Sequence, residues 1–377
     1  MQRVILAGLR SRKDGYNLAG YMKELKALVE AAGGRAVATL VQTRERPDSR
    51  TFFGKGKLQE LLHLVEELEP DLLVFDRELS PGQLRHLDEL IPVQVIDRTM
   101  LILDIFSSRA HSLEGKLQVE LATLQYRLPR LIGKGQVLSR TGAGIGTRGL
   151  GEQQLELDRR HIRRRINDLQ RQLAKVKKTR DLHRKQRLRQ GLKTVSLVGY
   201  TNAGKSSLFN MLCQKAHSSG QDQAEADERL FHTLDTTIRK IKLAAGHEVL
   251  ISDTVGFIQD LPHHLIAAFR STLEEAVGAD VILHIIDAAD EAYFEKVEVV
   301  NQVLEELGAD REQVYMVFNK IDKAPQLESV NGVVPRISAL TGQGIADLLL
   351  FLDQLLWPQD AAHRPVRPLA GDVSKGL

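Results

Sequence analysis

The sequence predicts a multidomain α/β protein. It should comprise a small N-terminal α/β sheet domain, a long antiparallel helical hairpin, and a second, larger α/β domain. Three observations predict this. Short apolar runs alternate with amphipathic stretches over the first 97 residues, the pattern of a mainly parallel sheet. Leucines and isoleucines then recur at spacings of three and four with no strand signal. Beyond residue 190, an apolar run leads into G-x-x-x-x-G-K-S and a helix.

The N-terminal elements follow in order. Val4–Ala7 reads as a strand and Leu18–Ala32 as a helix stopped by Gly33-Gly34. Ala36–Val41 and Leu72–Phe75 are further strands, separated by a helix over Leu58–Leu68. A third helix should begin after Ser80-Pro81, with Ser80 as its cap and Pro81 at the first helical position. Pro92–Ile96 closes the set, giving a domain over residues 1–97. Gly54-Lys55-Gly56-Lys57 stands at a helix start and reads as a capped turn.

Residues 98–190 have a different texture. Leu113, Leu117, Leu121, Leu124 and Leu128 form one seam, and Ile162, Ile166, Leu169, Leu173 and Val176 form a matching one. Two long helices packed antiparallel satisfy both; the second, some 39 residues to Gln190, would span about 58 Å. The connecting loop, residues 131–150, is rich in glycine and carries Lys134, Arg140 and Arg148 with no acid from Gly133 to Gly149. Glycines in such number cannot build a core, so the loop reads as a nucleic-acid backbone contact. From Asp158 to Arg189 there are 14 Lys+Arg against 3 Asp+Glu, while the whole chain is only +3. A solvated helix would mix signs to gain i,i+4 pairs. This one does not, and Arg163, Arg164 and Arg165 are candidates for RNA phosphate. Because the stretch lacks aromatics, base-specific readout is disfavoured.

The region 191–357 carries the chemistry. Val195–Val198 is a buried strand, followed by Gly199-Tyr200-Thr201-Asn202-Ala203-Gly204-Lys205-Ser206 and a helix over Ser207–Leu212. This is the context of a phosphate-binding loop: its N–H groups and the helix N-terminus face phosphate, Lys205 reaches the β- and γ-phosphates, and Ser206 holds Mg²⁺. Asp253-Thr254-Val255-Gly256 follows Val249-Leu250-Ile251. There Asp253 can hold Mg²⁺ through water, and the Gly256 N–H can meet the γ-phosphate. Asn319-Lys320-Ile321-Asp322 follows the apolar Val314–Phe318. A carboxylate in that motif accepts from guanine N1–H and the 2-amino group, which adenine cannot offer, allowing about 10⁴-fold discrimination. Ser338-Ala339-Leu340 would supply a backbone N–H to guanine O6.

Together these three motifs predict a Ras-like P-loop GTPase domain binding GTP and GDP with Mg²⁺. Asp280–Ile286, Val314–Phe318 and Val333–Ile337 should be its central strands. Between the phosphate loop and Asp253 lies Phe231-His232-Thr233-Leu234-Asp235-Thr236-Thr237. One of Thr233, Thr236 and Thr237 should close on Mg²⁺ and the γ-phosphate as a switch threonine. Phe257 occupies the position after the motif's glycine, where Ras-like enzymes carry a water-orienting glutamine.

Composition excludes other classes. No apolar run approaches the roughly 18 residues of a membrane span, and the N-terminus lacks a signal-peptide cleavage region. A single cysteine, Cys213, excludes an internal disulfide and should pack on the helix after the phosphate loop. The expectation is a soluble, cytoplasmic, monomeric protein. The tail, residues 358–377, has three prolines and few large apolar groups, and is expected to be poorly ordered.

The chain resembles the HflX family of ribosome-associated GTPases. The resemblance is carried by Gly199–Ser206, by Phe231–Asp235, and by Asp253-Thr254-Val255-Gly256-Phe257 with Leu261-Pro262-His263. Asp97-Arg98 and the loop ending Gly146-Thr147-Arg148-Gly149 add to it. It implies that Thr233 is the Mg²⁺ threonine and that Lys205, Thr233 and Gly256 act at the reacting phosphate. It also implies the large (50S) ribosomal subunit and its rRNA as partner, contacted by the N-terminal and helical domains, and a role in splitting or rescuing stalled ribosomes under stress. The sequence departs from the family at His232, where alanine is common, and at Thr236, where proline is common; the C-terminal extension of some members is nearly absent. Two other readings of the residues stay open: a signalling GTPase with a protein effector, and a GTP-gated RNA-binding module.

Overall fold

In a computed structural model of the chain, residues 1–10, 18–131, 150–189, 191–215, 236–243, 245–259, 273–274, 276–324 and 334–358 are described. The chain divides into two compact units, with the boundary inside its longest helix between Lys175 and Val176.

The first unit opens on strand β1 (Gln2–Arg10), helix α1 (Leu18–Ala31), strand β2 (Gly34–Thr43) and helix α2 (Lys55–Leu68). Strand β3 (Leu72–Phe75), helix α3 (Pro81–Leu90) and strand β4 (Gln94–Asp97) complete its sheet. All neighbours are parallel, in the order β2-β1-β3-β4. The fully buried Ile5, Leu73, Phe75, Phe53 and Leu61 form its core. Ser80 caps α3 as expected: its Oγ accepts from the Gln83 N–H at 3.2 Å, and the Gln83 side chain accepts from the Ser80 N–H at 3.0 Å. The start of α2 is earlier than the apolar pattern suggests. Lys55, Gly56 and Lys57 are its first turn rather than a preceding loop.

Helices α4 (Arg98–Arg109) and α5 (Leu113–Arg130) follow, separated at Ala110–Ser112, where the Ser112 hydroxyl accepts from the Gly115 N–H at 2.9 Å. Helix α6 (Leu150–Arg189) is 40 residues long. Its seam with α5 is the expected one: Leu117, Leu121 and Leu169 are buried, with Leu124, Ile166 and Leu173 packed against them. Leu113 is an exception. It is 68% exposed, because as the first residue after the cap it precedes the stretch that meets α6. The glycine-rich loop, with Lys134, Arg140 and Arg148, lies outside the described residues.

In the second unit, strand β5 (Lys193–Gly199) is central, followed by helix α7 (Lys205–Lys215). Strands β6 (Thr237–Lys242), β7 (Glu248–Asp253), β8 (Val281–Asp287) and β9 (Val314–Asn319) give the order β6-β7-β5-β8-β9. Only β6 is antiparallel, against β7. Helices α8 (Tyr293–Glu306) and α9 (Ile345–Leu356) belong to this unit, and α7 and α9 bury Leu208, Phe209, Leu212, Leu348 and Leu352 against the sheet. Cys213, on α7, packs on this core half-buried.

The expected strand over Val333–Ile337 does not form. Residue 333 is outside the described residues, and the rest makes one bridge, Phe318 to Arg336. The Phe318 N–H donates to Pro335 O at 3.0 Å, but Pro335 has no N–H to continue a ladder. The sheet therefore ends at β9. Among the described residues no helix is long and apolar enough to cross a membrane.

Candidate functional site

The carboxyl ends of β5, β7 and β9 bring the three motifs together. Residues 200–204 curl between β5 and the first turn of α7, with Asn202 at φ +61° and Gly204 at φ +88°. Glycine is required at 204. A Cβ there would lie 2.2 Å from Asn319 Nδ2, so the phosphate loop and the base motif touch through this residue. Asn319 is buried and bridges the two: its Nδ2 donates to Ala203 O at 2.9 Å, and its Oδ1 accepts from the Ala339 N–H at 2.9 Å. Lys320 donates to Asn202 O at 2.7 Å and to Asp287 Oδ2 at 2.6 Å. Asn319 and Lys320 thus build the loop, while Asp322 keeps an exposed carboxylate on the short 3₁₀ turn Ile321–Lys323.

Around Ser338-Ala339-Leu340 the amides are partly engaged within the protein. The Ser338 N–H donates to Gln343 O at 3.0 Å, and Ala339 serves Asn319. Leu340 is 77% exposed.

Lys205 is buried at the start of α7. Its Nζ donates to Gly199 O at 3.0 Å and Tyr200 O at 2.9 Å. Burial pushes its pKa down to about 8; the Asp253 carboxylate offsets part of this and Lys320 adds to it. At the next residue, the Ser206 hydroxyl donates to Asp253 Oδ2 at 2.6 Å. A hydroxyl and a carboxylate this close are hard oxygen donors of the kind Mg²⁺ takes, so the pair fits that ion. Among the described residues no cluster of three or more His, Cys, Asp or Glu could hold a metal. Mg²⁺ does not require one, since it usually keeps waters and phosphate oxygens as ligands.

Past Asp253 the chain runs on beside the phosphate loop. The Phe257 N–H donates to Gly199 O at 3.1 Å, and the Thr201 N–H donates to Phe257 O at 2.7 Å. Thr254 is buried, its hydroxyl donating to Leu197 O at 2.7 Å; Val255 is also buried. The approach at Gly256 admits no side chain: a Cβ would lie 2.8 Å from Thr201 Cγ2 and 3.1 Å from Lys205 Nζ. Phe257 is 2% exposed and packs away from solvent.

Of the switch candidates, Phe231, His232, Thr233, Leu234 and Asp235 lie outside the described residues, as do Leu261, Pro262 and His263. Thr237 opens β6 and pairs with Asp253 across the ladder. One contributor had no sequence signal: Asp287, which holds Lys320. Tyr200 was read as part of the loop, but the long-range pairing of its hydroxyl, which accepts from the Gln259 N–H at 2.7 Å, is announced by no local motif.

Comparison with known proteins agrees with this geometry. Residues 19–107 match a family model described as GTP-binding GTPase N-terminal, 109–187 one described as GTP-binding GTPase Middle Region, and 194–320 one described as 50S ribosome-binding GTPase. The GTPase HflX of Alkalihalophilus pseudofirmus is 50% identical over 323 residues, 86% of this chain and 75% of that protein. The chain belongs to the HflX GTPase family. The Escherichia coli GTPase HflX is 43% identical over 349 residues, covering 91% of this chain and 80% of its own. A crystal structure of SsGBP with GDP, 24% identical, aligns over 96% of this chain and 100% of that one with a TM-score of 0.51. That likeness concerns the fold. As an HflX-family member the chain is a GTPase.

Proposed function

We propose that this protein docks on the large (50S) ribosomal subunit in the cytoplasm, splits or rescues stalled ribosomes under stress, and hydrolyses GTP rapidly only when docked. The observation that carries this reading is the match of residues 194–320 to a 50S ribosome-binding GTPase. In this reading residues 1–97 and the hairpin 98–190 contact the subunit, and residues 191–357 bind the nucleotide. Arg163 and Arg164, exposed on α6, meet rRNA phosphate, together with Lys134, Arg140 and Arg148.

At the nucleotide, the N–H groups of residues 200–206 cradle the phosphates and Lys205 neutralises the β- and γ-oxygens. Ser206 and Thr233 would hold Mg²⁺, and Asp253 would support it through water. The ion, when bound, would neutralise negative charge developing on the phosphate oxygens. The Gly256 N–H meets the γ-phosphate. Asp322 reads guanine N1–H and the 2-amino group, and the 338–340 backbone faces O6. Because Phe257 packs inward, no side chain from that position guides the attacking water, and docking supplies the missing order.

Co-sedimentation with purified large subunits tests the reading. The protein should pellet with a non-hydrolysable GTP analogue more than with GDP, and release as salt rises. No binding at physiological salt would leave a signalling GTPase. Equal binding with both nucleotides would leave an RNA-binding module whose hydrolysis is incidental.

A further inference from the structure

Lys320 has a backbone that its residue type does not favour. Its φ is +64°, in the left-handed region that glycine and asparagine enter more readily than lysine. Asn202, in the phosphate loop, is left-handed as well, at φ +61°. Among the described residues four other than glycine have positive φ, and one ammonium joins these two. Such backbones persist where the surroundings over-determine them, and they cluster at ligand sites.

The joining group is the Lys320 ammonium, which donates to Asn202 O at 2.7 Å and to Asp287 Oδ2 at 2.6 Å. The lysine stem passes the glycine of the loop, its Cε 4.0 Å from the Cβ position at Gly204. Asp287 ends β8 and pairs with Asn319 across the ladder, so its carboxylate starts beside the base motif. The Asp287 Oδ1 accepts from the Ala289 N–H at 3.1 Å, a turn of the kind aspartate makes with its own backbone two residues on. That bond orients the carboxylate and leaves Oδ2 for Lys320.

The lysine stem is flexible, and its ammonium is strongly hydrated. The Lys320 and Asp287 side chains are each 21% exposed, so water competes for the ammonium. An ion pair this exposed adds little to folding stability. It does select one arrangement of the lysine before any ligand arrives, and a site already ordered loses less entropy on binding.

We propose that Asp287 is a positioning residue for guanine-nucleotide binding: it holds the Lys320 ammonium on Asn202 O and thereby keeps the phosphate loop and the base motif in one arrangement. The inference rests on the nucleotide-site reading above and deepens it. Asp287 acts through Lys320, and its loss lets the ammonium turn to solvent. The left-handed turns at 202 and 320 are then no longer tied, and GDP must order them on binding.

Calorimetric titration with GDP of the parent, Asp287→Asn, Lys320→Met and the double variant tests this. An amide has one oxygen, so Asp287→Asn can serve Ala289 or Lys320 but not both, and it carries no charge. GDP affinity should fall about fivefold in Asp287→Asn, the upper end of what a partly exposed ion pair gives. Lys320→Met keeps the stem and removes the ammonium. Adding Asp287→Asn to it should change GDP affinity by less than about twofold, because the group through which Asp287 acts is gone. Parental affinity in Asp287→Asn overturns the proposal. So does an equal loss in both backgrounds, which is what a role confined to the Ala289 turn would give. If the amide variant does not fold, Asp287→Ser makes the same comparison, its hydroxyl still able to accept from Ala289. Absence of GDP binding by the parent would contradict the nucleotide-site reading, whereas a parent that binds GDP no better than Asp287→Asn contradicts only the role of Asp287.

Discussion

Asp322 and Lys205 show how differently two charged residues of the candidate site are held. Asp322 is exposed on its 3₁₀ turn, while Asn319 and Lys320 beside it are engaged by the phosphate loop. Replacing the aspartate should therefore change base choice without dismantling the loop. Asp322→Asn should weaken GTP by about tenfold or more and favour xanthosine triphosphate, whose 2-oxygen accepts from the new amide. Competition binding with the two nucleotides decides it, and unchanged GTP affinity would remove Asp322 from the base site. Lys205 responds to pH instead. Burial lowers its pKa to about 8, so the free protein loses this positive charge as pH rises through 8. Phosphate prefers the charged form. GDP affinity should then fall roughly fourfold between pH 7 and 8.5; a flat calorimetric profile would contradict it. The motif residues were legible in the sequence because each sits in a short, fixed spacing. Asp287 was not, because its pairing with Lys320 is distant in sequence and leaves no local pattern.

Helix α6 carries a seam and a charged face on the same 40 residues. The seam was readable because a 3,4 spacing needs only one face to recur, and Leu169 is fully buried as that spacing requires. Which arginines stay available was not readable. Arg165 makes two hydrogen bonds to Glu120 on α5, at 2.6 and 2.7 Å, and so belongs to the hairpin. Arg163 and Arg164 are exposed. Arg163→Glu with Arg164→Glu should lower large-subunit affinity and reduce the slope of its logarithm against log salt by about 2, with nucleotide affinity unchanged. Arg165→Glu would confound the test, since it sets two carboxylates against each other within the hairpin. If the double variant pellets with subunits as the parent does at physiological salt, this face is solvated. The break at Ala110–Ser112 has little signature in the sequence for a related reason: a capping serine there looks like one more polar position until its hydroxyl is seen to accept from the Gly115 N–H.

Across the whole chain, the alternation of strands and helices sufficed to read the parallel strands, because parallel strands buried on both faces are short continuous apolar runs; the antiparallel edge strand β6, whose residues alternate with lysine and arginine, was not read from it. The pattern failed at Val333–Ile337, where a segment holding Pro335 makes one bridge, through Arg336, rather than a strand. What the fold leaves to a partner is more telling for function. Lys205, Ser206, Asp253, Asn319 and Gly256 are gathered by the chain itself, yet Phe257 faces inward and cannot guide water. Hydrolysis by the protein alone should be slow, on the order of 10⁻³ s⁻¹ or below by analogy with unassisted Ras. Clamping the segment around Thr233 and Gly256 could supply about 2.7 kcal/mol at the transition state, equal to about 10²-fold. The direct test is the turnover number for GTP with and without saturating purified 50S subunits. Acceleration of about 10²-fold or more, not reproduced by Phe257→Gln alone, is the predicted result. Fast turnover by the isolated protein, or none gained at saturating subunits, would contradict it.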